Sequence, residues 1–124
     1  MTTSRIEIRK ALMIGIYQYL LIGADIFSYL EYRKIDPADE FIISILDCLF
    51  REKDAFITDL NAKLTDWTFD RLGRIEQAIF LLAYAEMAAG ISEKALVINE
   101  AVELAKIYCD EESYRLINAA LDKL

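Results

Sequence analysis

The sequence predicts an all-helical protein built as an orthogonal or irregular bundle. Apolar residues recur at the three- and four-residue spacing of helices along most of the chain, and no alternating strand pattern is present. Hydrophobic residues make up 56% of the 124 residues, with only four glycines and one proline, so little of the chain is free to form turns or linkers. The length fits a single domain over residues 1–124.

The first two helices are predicted from local capping signals. Ser4 and Glu7 form a capping-box pattern, in which each side chain satisfies a backbone N–H of the other. The helix that they open should run to about Leu21, with Gly23 as a left-handed stop. A short helix is then predicted from Asp25 to Tyr32.

A long third helix should follow the pair Asp36 and Pro37. Aspartate is a favoured N-cap and proline suits the first helical position, so we expect this helix to begin there. Its apolar periodicity continues to about Leu64. A turn or short helix is predicted through Trp67 and Phe69.

The second half of the chain predicts three more helices. The segment from Ile75 to Ala89 is apolar almost all round, which is typical of a central helix enclosed by others, and Gly90 should end it. Residues 93–108 and the segment from Glu111 to Leu121 show amphipathic spacing and predict the last two helices.

The sequence supplies no recognisable catalytic, metal or cofactor site. The chain has no histidine, which excludes a Ser-His-Asp triad and a histidine-ligated metal, and its glycines form no phosphate loop. Cys48 and Cys109 form no C-x-x-C pair and are predicted to be buried free thiols in a reducing compartment. The residues therefore favour a protein that acts by binding rather than an enzyme.

The chain is not predicted to enter a membrane. The most apolar run, from Ala11 to Ala24, is interrupted by Gln18 and is shorter than the roughly 18 residues that a span needs. Tyr17 and Tyr19 also break the run, so it reads better as a core helix than as a signal peptide. We expect a cytoplasmic protein.

The negative charge of the chain is unevenly distributed. The formal net charge is −7, yet residues 1–34 contain five basic and three acidic side chains. Residues 35–66 contain three basic and eight acidic ones. An overall field of this sign repels phosphate, so any nucleic-acid site must be local, and the N-terminal third is where we expect it.

Several segments together resemble one family. The segment at 97–108 reads V-I-N-E-A-V-E-L-A-K-I-Y. The supporting segments are W-T-F-D-R-L at 67–72, I-E-Q-A-I at 75–79, L-A-Y-A-E-M at 82–87, D-E-E-S at 110–113, L-I-N-A-A-L-D-K at 116–123 and, near the N-terminus, R-x-x-x-R-K-A-L at 5–12 with I-Y-Q at 16–18. These residues resemble the NusB family of bacterial RNA-binding transcription antitermination factors. The match to the family is specific from residue 67 onward and moderate over residues 5–18. Between these segments the chain shares only general helical character with the family.

The resemblance implies a fold, partners and site residues. The expected fold is a NusB-like compact bundle of about six to seven helices in two packed three-helix halves. The expected partners are boxA-type single-stranded RNA, the ribosomal protein NusE and the RNA polymerase antitermination complex that forms during ribosomal RNA synthesis. By resemblance, the RNA-side candidates are Arg5, Arg9, Lys10, Arg115 and Asn118. The candidates for the partner face are Tyr17 and Glu76.

The residues themselves allow both a binding and a purely structural interpretation. Arg5 and Arg9 are four apart, so they share a helix face near free N–H groups that suit phosphate, but such residues also occur simply as a solvated helix end. Tyr17 could stack on a base or belong to the core. Tyr114 offers a second stacking ring. Asn118 could instead form a hydrogen bond with a neighbouring backbone group, and Glu76 could instead cap the central helix.

Two other functions stay open at this point. The basic set near the N-terminus has only three members, fewer than is usual in the family, which fits an RNA-independent protein adaptor. Similar domains precede the catalytic domain of some rRNA cytosine methyltransferases, which fits an accessory subunit for RNA modification. A homodimer through the apolar first helix is also left open.

Overall fold

The computed structural model describes residues 3–124, and Met1 and Thr2 of the predicted 1–124 domain lie outside them. The described chain is helical throughout and contains no strand. Its elements are α1 (Arg5–Ile22), α2 (Ile26–Tyr32), α3 (Glu40–Lys63), a 3-10 turn (Phe69–Arg71), α4 (Arg74–Ala88), α5 (Lys94–Tyr108) and α6 (Glu111–Asp122). The predicted fold class, with about six to seven helices, is confirmed.

The ends of α1 and α2 lie where the capping signals predict them. The Ser4 hydroxyl accepts a hydrogen bond of 3.2 Å from the Glu7 N–H, which satisfies one free donor at the start of α1. Gly23 follows α1 with a left-handed φ of 70°, and its N–H donates to the Tyr19 carbonyl. The Asp25 carboxylate caps α2 by accepting from the Ser28 N–H at 3.0 Å.

The predicted start of α3 at Asp36 and Pro37 is wrong by one turn. The helix begins at Glu40, and its N-cap is Asp39, whose carboxylate accepts from the N–H groups of Phe41 at 2.9 Å and Ile42 at 3.3 Å. Asp36 accepts from the Ala38 N–H instead and so closes a local turn. Asp36 and Asp39 are both suitable N-caps, and the cap is Asp39, which accepts hydrogen bonds from two N–H groups of the helix.

This corrected cap leads to a stability prediction. Asp39→Ala should lower the free energy of unfolding by about 1 kcal/mol, because two N–H groups at the start of α3 lose their acceptor. Urea denaturation followed by circular dichroism measures it. Asp36→Ala is the matched control and should cost less, since that carboxylate serves one amide in an exposed turn. A larger loss for Asp36→Ala would show that Asp36, not Asp39, is the cap that stabilises α3.

Helix α4 is the centre of the bundle, as its nearly uniform apolar sequence predicts. All side chains from Gln77 to Ala85, and also Glu86, are buried. The helix packs against α1 and α3 on one side and against α5 and α6 on the other. It therefore connects α1 and α3 with α5 and α6, and α3 packs mainly on α4 rather than on α1 or α2. The left-handed Gly90 follows its C-terminus.

Helix α5 has the amphipathic arrangement that its sequence predicts. Its apolar face packs between α4 and α6. The buried residues of α5 are Val97, Ile98, Ala101, Leu104 and Ala105. Asn99, Glu103 and Lys106 lie exposed on the opposite side, and Val102 is half-buried. The segment that carries most of the family resemblance thus has a packing role, while its polar side faces solvent.

The prediction of buried free thiols is confirmed for Cys48 and holds in part for Cys109. Both thiols are free, with Cys48 buried on α3 and Cys109 half-buried just after α5. Burial raises the pKa of the Cys109 thiol to about 11. The thiol is therefore protonated and unreactive near neutral pH.

Candidate nucleic-acid interface

Arg5 lies exposed at the start of α1, against an aromatic ring of another helix. Its guanidinium carbon is 4.0 Å from the centroid of the Phe41 ring, which is buried at the start of α3. A cation at this distance is attracted by the electron-rich face of the ring. The contact restrains the Arg5 side chain and leaves its donors open to solvent, where they can meet phosphate.

Arg9 shares the Phe41 ring but is held inside the protein. Its guanidinium carbon is 5.3 Å from the ring centroid, and the residue is only 5% exposed. Nε donates to Glu86 Oε1 at 2.9 Å and Nη2 donates to Oε2 at 2.7 Å. The hydrogen bond to Glu86 outweighs desolvation and raises the pKa of Arg9 above its usual value. The predicted common face of Arg5 and Arg9 exists, but Arg5 is exposed on it while Arg9 is buried against Glu86.

Lys10 completes the basic set of α1 in a weak surface pair. Its Nζ is 3.5 Å from Glu7 Oε1, three residues earlier on the helix, and half of the Glu7 side chain is exposed. Exposed pairs of this kind contribute little to stability, so a phosphate oxygen can replace the carboxylate at small cost. Lys10 is thus available as a cation.

Arg115 and Asn118 line one open cleft between α5 and α6, remote in sequence from α1. We call it the α5–α6 cleft. Its volume is about 680 Å³. Its lining residues are Lys94, Ala95, Ile98, Asn99, Val102, Lys106, Tyr114, Arg115, Asn118 and Asp122. Arg5 and Arg9 do not line this cleft; they contact Phe41 on α3 and Glu86 on α4, and Arg9 also lies near Glu100 on α5.

Tyr17 and Glu76, the candidates for the partner face, do come together. Both line a shallow cleft of about 430 Å³ where α1, the start of α4 and the α5–α6 connection meet. Tyr17 is half-buried and packs against the core. Glu76 also caps α4, since its Oε2 accepts from the Gly73 N–H at 3.2 Å. The structural interpretation of Glu76 is therefore correct, and its carboxylate remains partly exposed at this cleft.

Two residues that shape the α1 site, Phe41 and Glu86, are not among the residues that the sequence predicts for it. Phe41 carries no local sign that it supports two arginines, because the contact joins α3 to α1. The sequence does indicate that Glu86 needs a partner, because a carboxylate in the middle of a nearly apolar central helix requires a buried counter-charge. The sequence does not show that this partner is Arg9, which lies 77 residues earlier in the chain.

Two kinds of feature are absent from the described part of the chain, namely metal-ligand groups and membrane-spanning helices. Within residues 3–124 no group of three or more Cys, Asp or Glu side chains is arranged to hold a metal ion. Over the same residues, no helix combines the length and apolar character that crossing a membrane requires.

Comparison with known proteins decides the family. The model described as NusB family matches residues 7–124, almost the whole chain. This chain belongs to the NusB family. The transcription antitermination protein NusB of Sulfurovum sp. (strain NBC37-1) is 33% identical over 126 aligned residues, which cover 98% of this chain and 97% of the relative.

Solved NusB structures share the fold. T. maritima NusB superposes with a TM-score of 0.85 at 24% identity, covering 99% of this chain and 91% of that one. NusB in a crystal structure of the antitermination factors NusB and NusE with double-stranded RNA gives a TM-score of 0.82 at 24% identity, covering 96% and 93%. The family fold extends over α1 to α6.

Proposed function

We propose that this protein is a transcription antitermination factor that binds boxA-type RNA together with NusE. It would help to assemble an antitermination complex on RNA polymerase during rRNA transcription, in the cytoplasm. The observation that carries the proposal is the family match over residues 7–124, together with the NusB relative of 33% identity. The complex of NusB and NusE with RNA supplies the two kinds of partner. No catalytic step is part of the proposal.

In this proposal the start of α1 is the first RNA contact. Arg5 binds phosphate directly, because its donors are exposed while Phe41 restrains the side chain. Lys10 adds a second cation that is only weakly paired. Arg9 acts through position, since its pair with Glu86 holds α1 on α4.

The other candidates have separate roles in the proposal. Arg115 and Asn118 form a second RNA contact at the α5–α6 cleft, where both are exposed. Tyr17 and Glu76 form part of the NusE face, which the cleft that they share supports. The chain thus uses different surfaces for RNA and protein.

A protein adaptor that no longer depends on RNA is the second candidate function. The observation in its favour is that burial in the pair with Glu86 removes one of the three basic residues of α1 from the surface. This adaptor would bind NusE but show only weak, sequence-independent affinity for RNA.

Titration of boxA-containing RNA and a scrambled RNA separates the two functions. Both RNAs are added to the protein with and without NusE at several salt concentrations. The proposed function predicts tighter binding of boxA RNA when NusE is present. Equal, weak binding of both RNAs to a stable complex with NusE would support the adaptor and contradict the proposed function.

Arg5→Ala should weaken boxA binding and flatten its salt dependence. Loss of one phosphate contact should lower the slope of log affinity against log salt by about 0.7 for single-stranded RNA. Arg51→Ala is the control, because it removes the same charge from an exposed site of α3, about 15 Å along the helix from Phe41. Equal effects of the two variants would show that only net charge matters.

A further inference from the structure

We propose that the α5–α6 cleft is a nucleotide-binding site that holds a base and phosphate of single-stranded RNA. The inference rests on the proposed function and assigns new members to it, namely Lys94, Asn99, Lys106 and Tyr114. Its volume of about 680 Å³ lies within the usual range of small-molecule pockets. The chemistry of its walls decides what it holds.

The lining of the cleft carries more cations than carboxylates, although the protein as a whole is acidic. Lys94, Lys106 and Arg115 line it against a single carboxylate, that of Asp122, whereas the whole chain has a formal charge of −7. Cations gathered in a concave surface concentrate the local field there. An anionic ligand such as a phosphodiester can therefore take up donors of Lys106 and Arg115 here when it displaces Glu103 and Glu111.

The cations of the cleft are free to exchange their present partners. Lys106 Nζ is 3.4 Å from Glu103 on the same helix, and both side chains are about half exposed. Arg115 pairs with Glu111, and this pair is also largely exposed. Exposed pairs within one helix are weak, so phosphate oxygens can replace these carboxylates.

Lys94 fixes the remaining end of the cleft. Its Nζ donates to the carbonyl oxygens of Asp122, at 3.5 Å, and Leu124. These bonds tie the start of α5 to the end of α6 and keep the ammonium group at the rim.

The polar and aromatic groups of the cleft suit a base. Over residues 3–124, the side-chain amides of Asn99 and Asn118 take part in no intramolecular hydrogen bond, so their donors and acceptors are open to a base edge. Tyr114 supplies a half-buried ring, with Lys106 Nζ 5.7 Å from its centroid. Ala95, Ile98 and Val102 form an apolar floor. Amides, ring and cations together match a nucleotide better than an acidic peptide.

Side-chain amide signals in NMR spectra give the direct test. The chain has three asparagines, two in the cleft and one, Asn61, whose carbonyl oxygen accepts from the Phe69 N–H at 2.7 Å near the end of α3. Titration of the full chain with boxA-containing RNA, with NusE present, should shift the amide signals of Asn99 and Asn118. The Asn61 signals should not move. Shifts confined to α1, with both cleft amides unchanged, would overturn the proposal and leave the proposed function intact.

A matched pair of tyrosine variants gives a second test. Tyr114→Leu keeps an apolar side chain in place and should weaken RNA binding about fivefold or more, because one base loses its stacking partner. Tyr32→Leu, on the exposed surface of α2, should leave affinity unchanged. Equal affinities of the two variants would overturn the proposal.

The same titration also tests whether the α5–α6 cleft binds a protein instead of RNA. If NusE alone shifts the cleft amides and RNA adds nothing, the cleft binds protein and the proposal is overturned. If RNA binds nowhere on the chain, both this inference and the proposed function fail. These two outcomes, and the outcome in which only α1 signals shift, differ in which amide signals move and in whether RNA or NusE moves them.

Discussion

Glu86→Ala is expected to lower the free energy of unfolding by about 3–5 kcal/mol, one of the two largest effects that the structure predicts. The substitution leaves the Arg9 guanidinium buried without its counter-charge and removes the acceptor of both its hydrogen bonds. An unpaired buried charge is among the costliest defects in a folded protein. Urea denaturation of the variant and the parent protein measures the difference.

A surface glutamate supplies the control for this substitution. Glu103→Ala removes an exposed carboxylate from the weak pair with Lys106 and should change stability by about 0.5 kcal/mol or less. If both variants lost the same stability, the buried pair would have no special importance. Arg9→Met combined with Glu86→Leu replaces both charges by apolar side chains and should recover most of the loss.

The same double variant separates the two roles considered for Arg9. If Arg9 acts only by holding α1 on α4, the refolded double variant should bind boxA RNA with nearly the parent affinity, since Arg5 remains exposed over Phe41. A large loss of affinity at unchanged stability would instead assign a direct RNA contact to Arg9.

Phe80→Ala is expected to cost about 3–5 kcal/mol of stability. Phe80 is fully buried, at 0% exposure, in the middle of α4, which packs against α1, α3, α5 and α6. Removing its ring loses the transfer free energy of a large apolar group and leaves a cavity that four surrounding helices cannot fill easily. Urea denaturation is again the measurement.

The matched control for Phe80 is a phenylalanine on the surface. Phe50 on α3 is 50% exposed, and its ring meets Tyr19 edge to face. Phe50→Ala should therefore cost clearly less than Phe80→Ala. Similar losses for both would mean that α4 is not the centre of the core.

The features that sequence alone could predict are those decided within a few residues. The cap at Ser4 and the left-handed glycines at positions 23 and 90 each depend on backbone groups of the same turn. The predicted start of α3 is wrong because Asp36 and Asp39 both suit a cap, and Asp39 is the one that accepts from two helix N–H groups. The local sequence therefore limits the N-cap of α3 to these two aspartates but does not show which one serves.

The candidate site depends on contacts between distant parts of the chain. The four-residue spacing of Arg5 and Arg9 correctly predicted a shared face, but the burial of Arg9 depends on Glu86, 77 residues later. Helical spacing also assigns Asn99 and Arg115 to polar faces of their helices. It cannot show that these faces meet across one cleft, because that depends on how α5 packs on α6.

The central position of α4 has a consequence for synthesis of the protein on the ribosome. The chain emerges from its N-terminus, so α1 and α3 leave the exit tunnel before the helix against which both pack. Their apolar side chains, such as Leu12 and Ile45, lack their cover until residue 88 has been translated and released. The nascent chain is therefore most exposed to aggregation and proteolysis between completion of α3 and emergence of α4.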